Sequence, residues 1–232
     1  MKNEFTMKKE FDVEKEFDAV VFDMDGVIFD SEKLVIECWQ VIADKYGIKN
    51  IADACHECLG LNRDATREKM LLRYGADFPY DDYKQEMSEL YFKCCEEGKL
   101  KLKPGVVELL EFLKQNRIKI ALASSTRKVV VERELTDAGV IDYFEQIVCG
   151  DMVNKSKPAP DIFLKACELL QVKPESAFAI EDSYNGIRAA RSGNLRPVMV
   201  PDLAEPTEEM KELAEVILPS LVEVREMLEH MR

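Results

Sequence analysis

Asp23 and Asp25 stand two residues apart, just after the apolar run Ala19-Val20-Val21-Phe22 and just before Gly26. Side chains alternate in direction along an extended chain, so both carboxylates project to one side if the strand geometry persists one step past Phe22. Two like charges at the end of a buried strand repel each other and resist desolvation. They call for a cation, a shared proton or a chemical task, whereas a pair in a solvated turn would need none. Three later positions carry complementary chemistry. Ser124, Ser125 and Thr126 follow Ile120-Ala121-Leu122-Ala123, Lys157 stands in S-K-P-A-P-D, and Glu181 and Asp182 follow Phe178-Ala179-Ile180. Together they form an inventory for phosphoryl transfer: oxygen ligands for Mg²⁺, donors for phosphate oxygens and a carboxylate nucleophile.

Each element has a plainer reading when taken alone. Ser124 to Thr126 would also cap a following helix, Lys157 would also serve as a surface lysine, and Glu181 and Asp182 would also favour a helix dipole from its first turn. Their joint occurrence at successive strand ends favours the functional reading, because open parallel sheets bind ligands at the carboxyl ends of their strands. Pro158 adds to it by restricting the backbone of Lys157.

The elements that must position these residues follow from hydrophobic periodicity. Strands are expected at Ala19 to Phe22 and Ile118 to Ala123, both of the buried type, and at Gln146 to Cys149, Ala177 to Ile180, Pro197 to Val200 and Val216 to Leu218. Helices are expected between them: one with Pro104 in its first turn and Val106, Leu109, Leu110 and Leu113 on one face, then Arg127 to Ala138, Pro160 to Leu170, Tyr184 to Arg191, a short one after Pro206 and a last one carrying Leu221, Val224 and Leu228. Alternation of this kind specifies a parallel sheet with helices on both faces. One block interrupts it. Ser31 reads as the N-cap of a helix carrying Leu34, Val35, Cys38, Trp39, Ile42 and Ala43, and further helices follow at Ile51 to Cys58, Asn62 to Tyr74 and Asp81 to Cys95 with no strand among them. The expected organisation is an N-terminal extension over 1–17, a core from 18–32 and 101–232, and an inserted helical domain over 33–100.

A formal net charge of −13 over 232 residues argues against nucleic acid or an anionic membrane as the main partner, since both reward lysine and arginine. No window approaches the ~18 apolar residues of a membrane-spanning helix. Seven scattered cysteines and the lack of an apolar signal-peptide core at the N-terminus lead to the expectation of reduced thiols in a cytoplasmic protein. Cys55-His56-Glu57-Cys58 has the spacing of half a zinc site. There is no second C-x-x-C and only one other histidine, His230, so even with Cys94 and Cys95 in reach the cysteines read as reduced packing residues. Oligomeric state is left open.

The order D-M-D-G-V-I-F-D-S, A-S-S-T, K-P-A-P-D-I-F and E-D-S-Y-N-G-I-R-A-A resembles the four motifs of the haloacid dehalogenase-like superfamily. More narrowly it resembles the β-phosphoglucomutase-like phosphatases, over nearly the whole chain from Asp18 onward. That resemblance implies an α/β fold with a Rossmann-like parallel sheet core and an inserted α-helical cap. It implies that Asp23 is the nucleophile that becomes an aspartyl-phosphate and Asp25 the general acid/base. Ser124, with the Ser125 backbone, would bind the phosphoryl group and Lys157 would neutralise its charge. Mg²⁺ would be held by Asp23, the Asp25 carbonyl and Asp182, with Glu181 contributing directly or through another ligand.

The expected reaction is hydrolysis of a small phosphorylated metabolite; the alternatives are a sugar phosphomutase and, from another class, a non-catalytic phosphometabolite-binding protein. Val35 stands where the mutases of this resemblance carry a histidine, a departure that counts against isomerase activity. Asp25 counts against dehalogenation, because a departing halide needs no proton. Arg63, after L-G-L-N, resembles a cap arginine that holds a second phosphate or a polar substrate group, although an arginine on a helix also pairs with neighbouring acids.

Overall fold

The apolar tetrad Ala19–Phe22 forms β1, at the middle of a six-stranded, wholly parallel sheet in a computed structural model that describes residues 17–58 and 63–231. The other strands are β2 (Lys119–Ser124), β3 (Gln146–Cys149), β4 (Ala177–Glu181), β5 (Arg196–Met199) and β6 (Val216–Ile217), in the order β3-β2-β1-β4-β5-β6. Strand order therefore reverses at β1, which lies between β2 and β4.

A strand at that place has no wet face, and the composition of β1 answers this. Val20 and Phe22 enter one apolar cluster, together with Leu109, Leu110 and Leu113 of α5 (Val106–Gln115), Val131 and Leu135 of α6 (Lys128–Asp137), and Val224 and Leu228 of α10 (Leu221–His230). Ala19 and Val21 enter the opposite cluster, with Ile162, Phe163 and Ala166 of α7 (Asp161–Leu170) and Ala189 of α8 (Tyr184–Ser192). Burial on both faces is what demands an unbroken apolar run in place of alternation. Phe17, just ahead of β1, is buried edge-on against Phe178 at 5.3 Å.

Between β1 and β2 the chain runs through α1 (Ser31–Tyr46), α2 (Ile51–Cys58), α3 (Arg63–Tyr74) and α4 (Tyr80–Glu96), which share a third apolar cluster around Trp39, Tyr83 and Met70. Tyr83 closes it twice over: its ring meets Trp39 at 5.5 Å, and its hydroxyl donates to the Trp39 carbonyl at 2.5 Å. A helical cap is thus inserted into a Rossmann-like core. The short helix α9 (Glu208–Leu213) lies between β5 and β6. No described helix is long and apolar enough to cross a membrane, and all seven cysteines are free.

Two helix starts differ from expectation. Ser31 is the first residue of α1, not its cap; the cap position belongs to Asp30, whose side chain makes no cap hydrogen bond, and the Ser31 hydroxyl is buried without a partner. The chain here is held from outside the helix, by Asp30 N donating to the Lys101 carbonyl at 2.9 Å. Pro104 also lies ahead of its helix, because Gly105, at φ 88°, intervenes before α5 begins at Val106.

Candidate active site

The register of the sheet assembles the site. Phe22 lies opposite Leu122 of β2 and Ile180 of β4, so the residues one step on, Asp23, Ala123 and Glu181, leave three neighbouring strands side by side. Asp23 N donates to the Ile180 carbonyl at 2.9 Å, which extends the pairing one step past β1.

Lys157 arrives from the loop between β3 and α7. Its Nζ donates to Asp23 Oδ1, to Glu181 Oε1 at 2.6 Å and to the Ala123 carbonyl at 3.0 Å, so the three protons of the ammonium meet three acceptors. Burial alone would lower its pKa, but the carboxylates of Asp23 and Glu181 outweigh that and raise it. The second oxygen of Glu181, Oε2, accepts from Ser183 N at 3.0 Å and Ser183 Oγ at 2.9 Å, and Ser183 in turn caps α8 by accepting from Gly186 N at 3.1 Å. Two glycines permit this closeness. A Cβ on Gly186 would come within 1.8 Å of the Glu181 carboxyl carbon, and one on Gly26, whose φ is +77°, would lie 2.3 Å from Asp182 Oδ2.

One oxygen from each of Asp23, Glu181 and Asp182 lies within 4.8 Å of the others. The set consists of hard oxygen donors with too few cations among them, which fits a small divalent ion such as Mg²⁺. Burial, only partly offset by Lys157 and reinforced by Glu181 and Asp25, raises Asp23 to about 7. Burial and then the charges of Glu181 and Asp23 raise Asp182 well above the usual carboxylate range. A second group of acids shares Asp182: Glu32 from α1 and Asp202 from the loop after β5, with Lys103 Nζ 2.5 Å from Asp202 Oδ1. Glu32 is raised to about 7 by burial and then by Asp202.

At the end of β2, Ser124 is buried and its Oγ accepts from Thr126 N at 3.1 Å, while Ser125 is exposed. Thr126 Oγ1 donates to Asp25 Oδ2 at 3.1 Å. None of the three hydroxyls caps α6, whose N-cap position is Arg127 with no side-chain cap bond. The capping alternative for this triplet is removed.

Beyond Asp25 opens a cavity of about 360 Å³ between core and cap. Asp25, Arg127 and Glu134 line it from the core side, and Val35, Tyr91 and Phe92 from the cap side. Glu134, from α6, is 4 % exposed, and its Oε1 has no hydrogen-bond partner. Burial and then Asp25 raise it to about 7, against the opposing pull of Arg133 and a hydrogen bond with Cys95.

The structure therefore brings Asp23, Asp25, Ser124, Lys157, Glu181 and Asp182 together, with Ser125 exposed at the same strand end. Arg63 begins α3, but its side chain lies outside the described residues, as does that of His56. Sequence reasoning passed over Ser183, Glu32, Asp202 and Glu134. The signal for Glu134 was an acid on the apolar stripe between Val131 and Leu135, and that for Glu32 its place directly after the first motif; Asp202 carried none.

Comparison with known proteins supplies an independent line. The family described as haloacid dehalogenase-like hydrolase matches residues 20–200. A phosphorylated carbohydrates phosphatase of Thermotoga maritima is 35% identical over 188 residues, spanning 78% of this chain and 83% of that protein. The β-phosphoglucomutase of Bacillus subtilis is 37% identical over 191 residues, spanning 78% and 82%. Among solved structures, a putative β-phosphoglucomutase from Thermotoga maritima superposes with a TM-score of 0.77 at 31% identity, covering 91% of this chain and 98% of that one.

Proposed function

The chain belongs to the haloacid dehalogenase-like hydrolase family, and from that premise we propose that it is a Mg²⁺-dependent phosphatase that hydrolyses a small phosphorylated metabolite, sugar phosphate or similar, through an aspartyl-phosphate on Asp23. The observation that carries this reading is the contact of Lys157 with both Asp23 and Glu181 beside the three-carboxylate group at the switch point of the sheet.

In this reading Asp23 attacks phosphorus in line with the leaving oxygen, and the phosphorus–oxygen bond to the leaving group breaks as the aspartyl-phosphate forms. Asp25, oriented by Thr126, protonates the departing alkoxide and then takes a proton from the water that hydrolyses the aspartyl-phosphate. Lys157 offsets the like charges of nucleophile and phosphate, and Ser124 with the Ser125 backbone holds the phosphoryl oxygens. Asp23, Asp182 and the Asp25 carbonyl would hold Mg²⁺, whose charge offsets that of the phosphoryl oxygens. Glu181, both of whose oxygens already accept hydrogen bonds, would serve chiefly by orienting Lys157 and Ser183. The helical segment over 33–100 acts as the cap that closes on the substrate and excludes water.

The rival reading, a sugar phosphomutase, has in its favour the similarity to the Bacillus subtilis enzyme. Against it, Val35 lines the cavity where a histidine would have to control proton exchange. Following sugar phosphates by ³¹P NMR in Mg²⁺ separates the two. Release of inorganic phosphate, lost on chelation and regained with Mg²⁺, supports the phosphatase; migration of the phosphate along the sugar without release supports the mutase.

A further inference from the structure

We propose that Glu134, which lines the cavity together with Asp25, selects the leaving group: it accepts a hydrogen bond from a hydroxyl of an uncharged polyol or sugar and turns away a leaving group that carries a second phosphate. The inference rests on the phosphatase reading and names the substrate class for the same site.

Asp25 lines the cavity, so a leaving oxygen protonated by Asp25 carries its carbon skeleton into that space. About 360 Å³ lies near the small end of the ~300–1,000 Å³ usual for ligand pockets, which suits one sugar-sized unit. The walls offer it the side chains of Val35, Tyr91 and Phe92, and one buried acid. A carboxyl that is 4 % exposed and has an oxygen without a partner is costly to retain in the resting protein. A donor arriving with the substrate removes that cost, and a hydroxyl is such a donor. Arg133, next in sequence, offsets the acid only in part: it lies 5.5 Å from the Phe92 ring and 3.8 Å from Glu96 on α4, and its buried Nη2 makes no hydrogen bond to Glu134 or to any other group. An anionic group entering the same space meets both Asp25 and Glu134, and site groups left unpaired or placed like against like are the strong form of discrimination. Arg127, exposed at the wall, is the cation that would favour the opposite outcome.

The test compares wild type, Glu134→Gln and Glu134→Leu on three probes in Mg²⁺: phenyl phosphate, a hexose monophosphate and a hexose bisphosphate. In wild type, kcat/KM is expected to be highest for the monophosphate. Glu134→Leu lowers kcat/KM for the monophosphate at least tenfold, mainly through KM, and leaves phenyl phosphate within about twofold. Glu134→Gln, close in size and still able to hydrogen-bond, loses less and raises the rate on the bisphosphate several-fold. Three results overturn the proposal: an equal loss on phenyl phosphate and monophosphate, which makes Glu134 merely structural; no change on any probe; or a wild-type preference for the bisphosphate, which assigns selection to Arg127. Absence of phosphate release from every probe by folded wild type refutes the phosphatase reading itself, and this inference with it.

Discussion

At the strand ends the lysine has an acceptor for each of its protons, whereas in the cavity between core and cap an acid keeps one oxygen without a hydrogen-bond partner. The three protons of Lys157 meet Asp23, Glu181 and the Ala123 carbonyl, and Glu181 hands its other oxygen to Ser183. A few residues away, Glu134 is as deeply buried as these yet keeps Oε1 unpaired. The strand-end cluster holds its lysine in place within the protein, leaves its carboxylates in need of a cation, and is built to repeat one reaction. The cavity keeps one oxygen of Glu134 without a partner, and in the proposed reading discrimination between substrates belongs there. Position in the fold explains the contrast: the cluster is tied to a hydrogen-bonded sheet, while the cavity is bounded by two layers that the chain joins only through loops.

The comparison predicts unequal consequences of substitution. Asp23→Asn removes the nucleophile and should lower kcat on phenyl phosphate by about 10⁴-fold or more while the fold persists; retention of a tenth of wild-type turnover would show that the cluster does not carry the reaction. Lys157→Met leaves the buried carboxylates of Asp23 and Glu181 without their ammonium. It should cost about 3–5 kcal/mol in chemical denaturation as well as most of the activity, and unchanged stability would mean that the cluster is not internally balanced. Gly186→Ala forces a methyl group against the Glu181 carboxylate. Displacement of that carboxylate, and with it Lys157, should reduce kcat about 10²-fold with little change in KM.

The smallest effect concerns the cavity and has the opposite sign. Glu134 is raised to about 7, chiefly by burial. The folded protein therefore binds that proton more tightly than the unfolded chain, and the stability this contributes is present at acid pH and lost as pH rises through about 7. Glu134→Gln, uncharged throughout, should melt within about a degree of wild type at pH 4.5 and about 5 °C higher at pH 8, a difference of about 2 kcal/mol. A destabilised variant at pH 8 would mean that the acid is already compensated and that the two regions do not differ in this respect.

How much of this was legible varies with how local the cause is. β1 was readable because a strand buried on both faces must be an apolar run, and Asp23 and Asp25 stood out against it. Lys157, Ser124, Glu181 and Asp182 were readable because each ends or follows a strand of the same type. The start of α1 was misread: Ser31 has the side chain of a cap, but the chain at Asp30 is held by Lys101, the residue at which the chain re-enters the core after the inserted block. Asp202 gave no signal, since its proximity to Asp182 and Lys103 depends on where the loop after β5 folds back. Glu134 gave a weak one, an acid on an apolar stripe, which by itself does not tell a helix facing a cavity from one facing solvent.

The amino-acid order by itself determined the sheet, its inserted helices and the set of groups able to move a phosphoryl group, because strand burial and motif spacing are properties of short stretches. Only the tertiary structure decided that Lys157 spends all its donors inside the cluster, that Val35 and Tyr91 line one cavity with Asp25, and that Glu134 is the acid there with one oxygen left unpaired. Those facts depend on how two separately packed layers meet, and no local pattern of residues specifies that meeting.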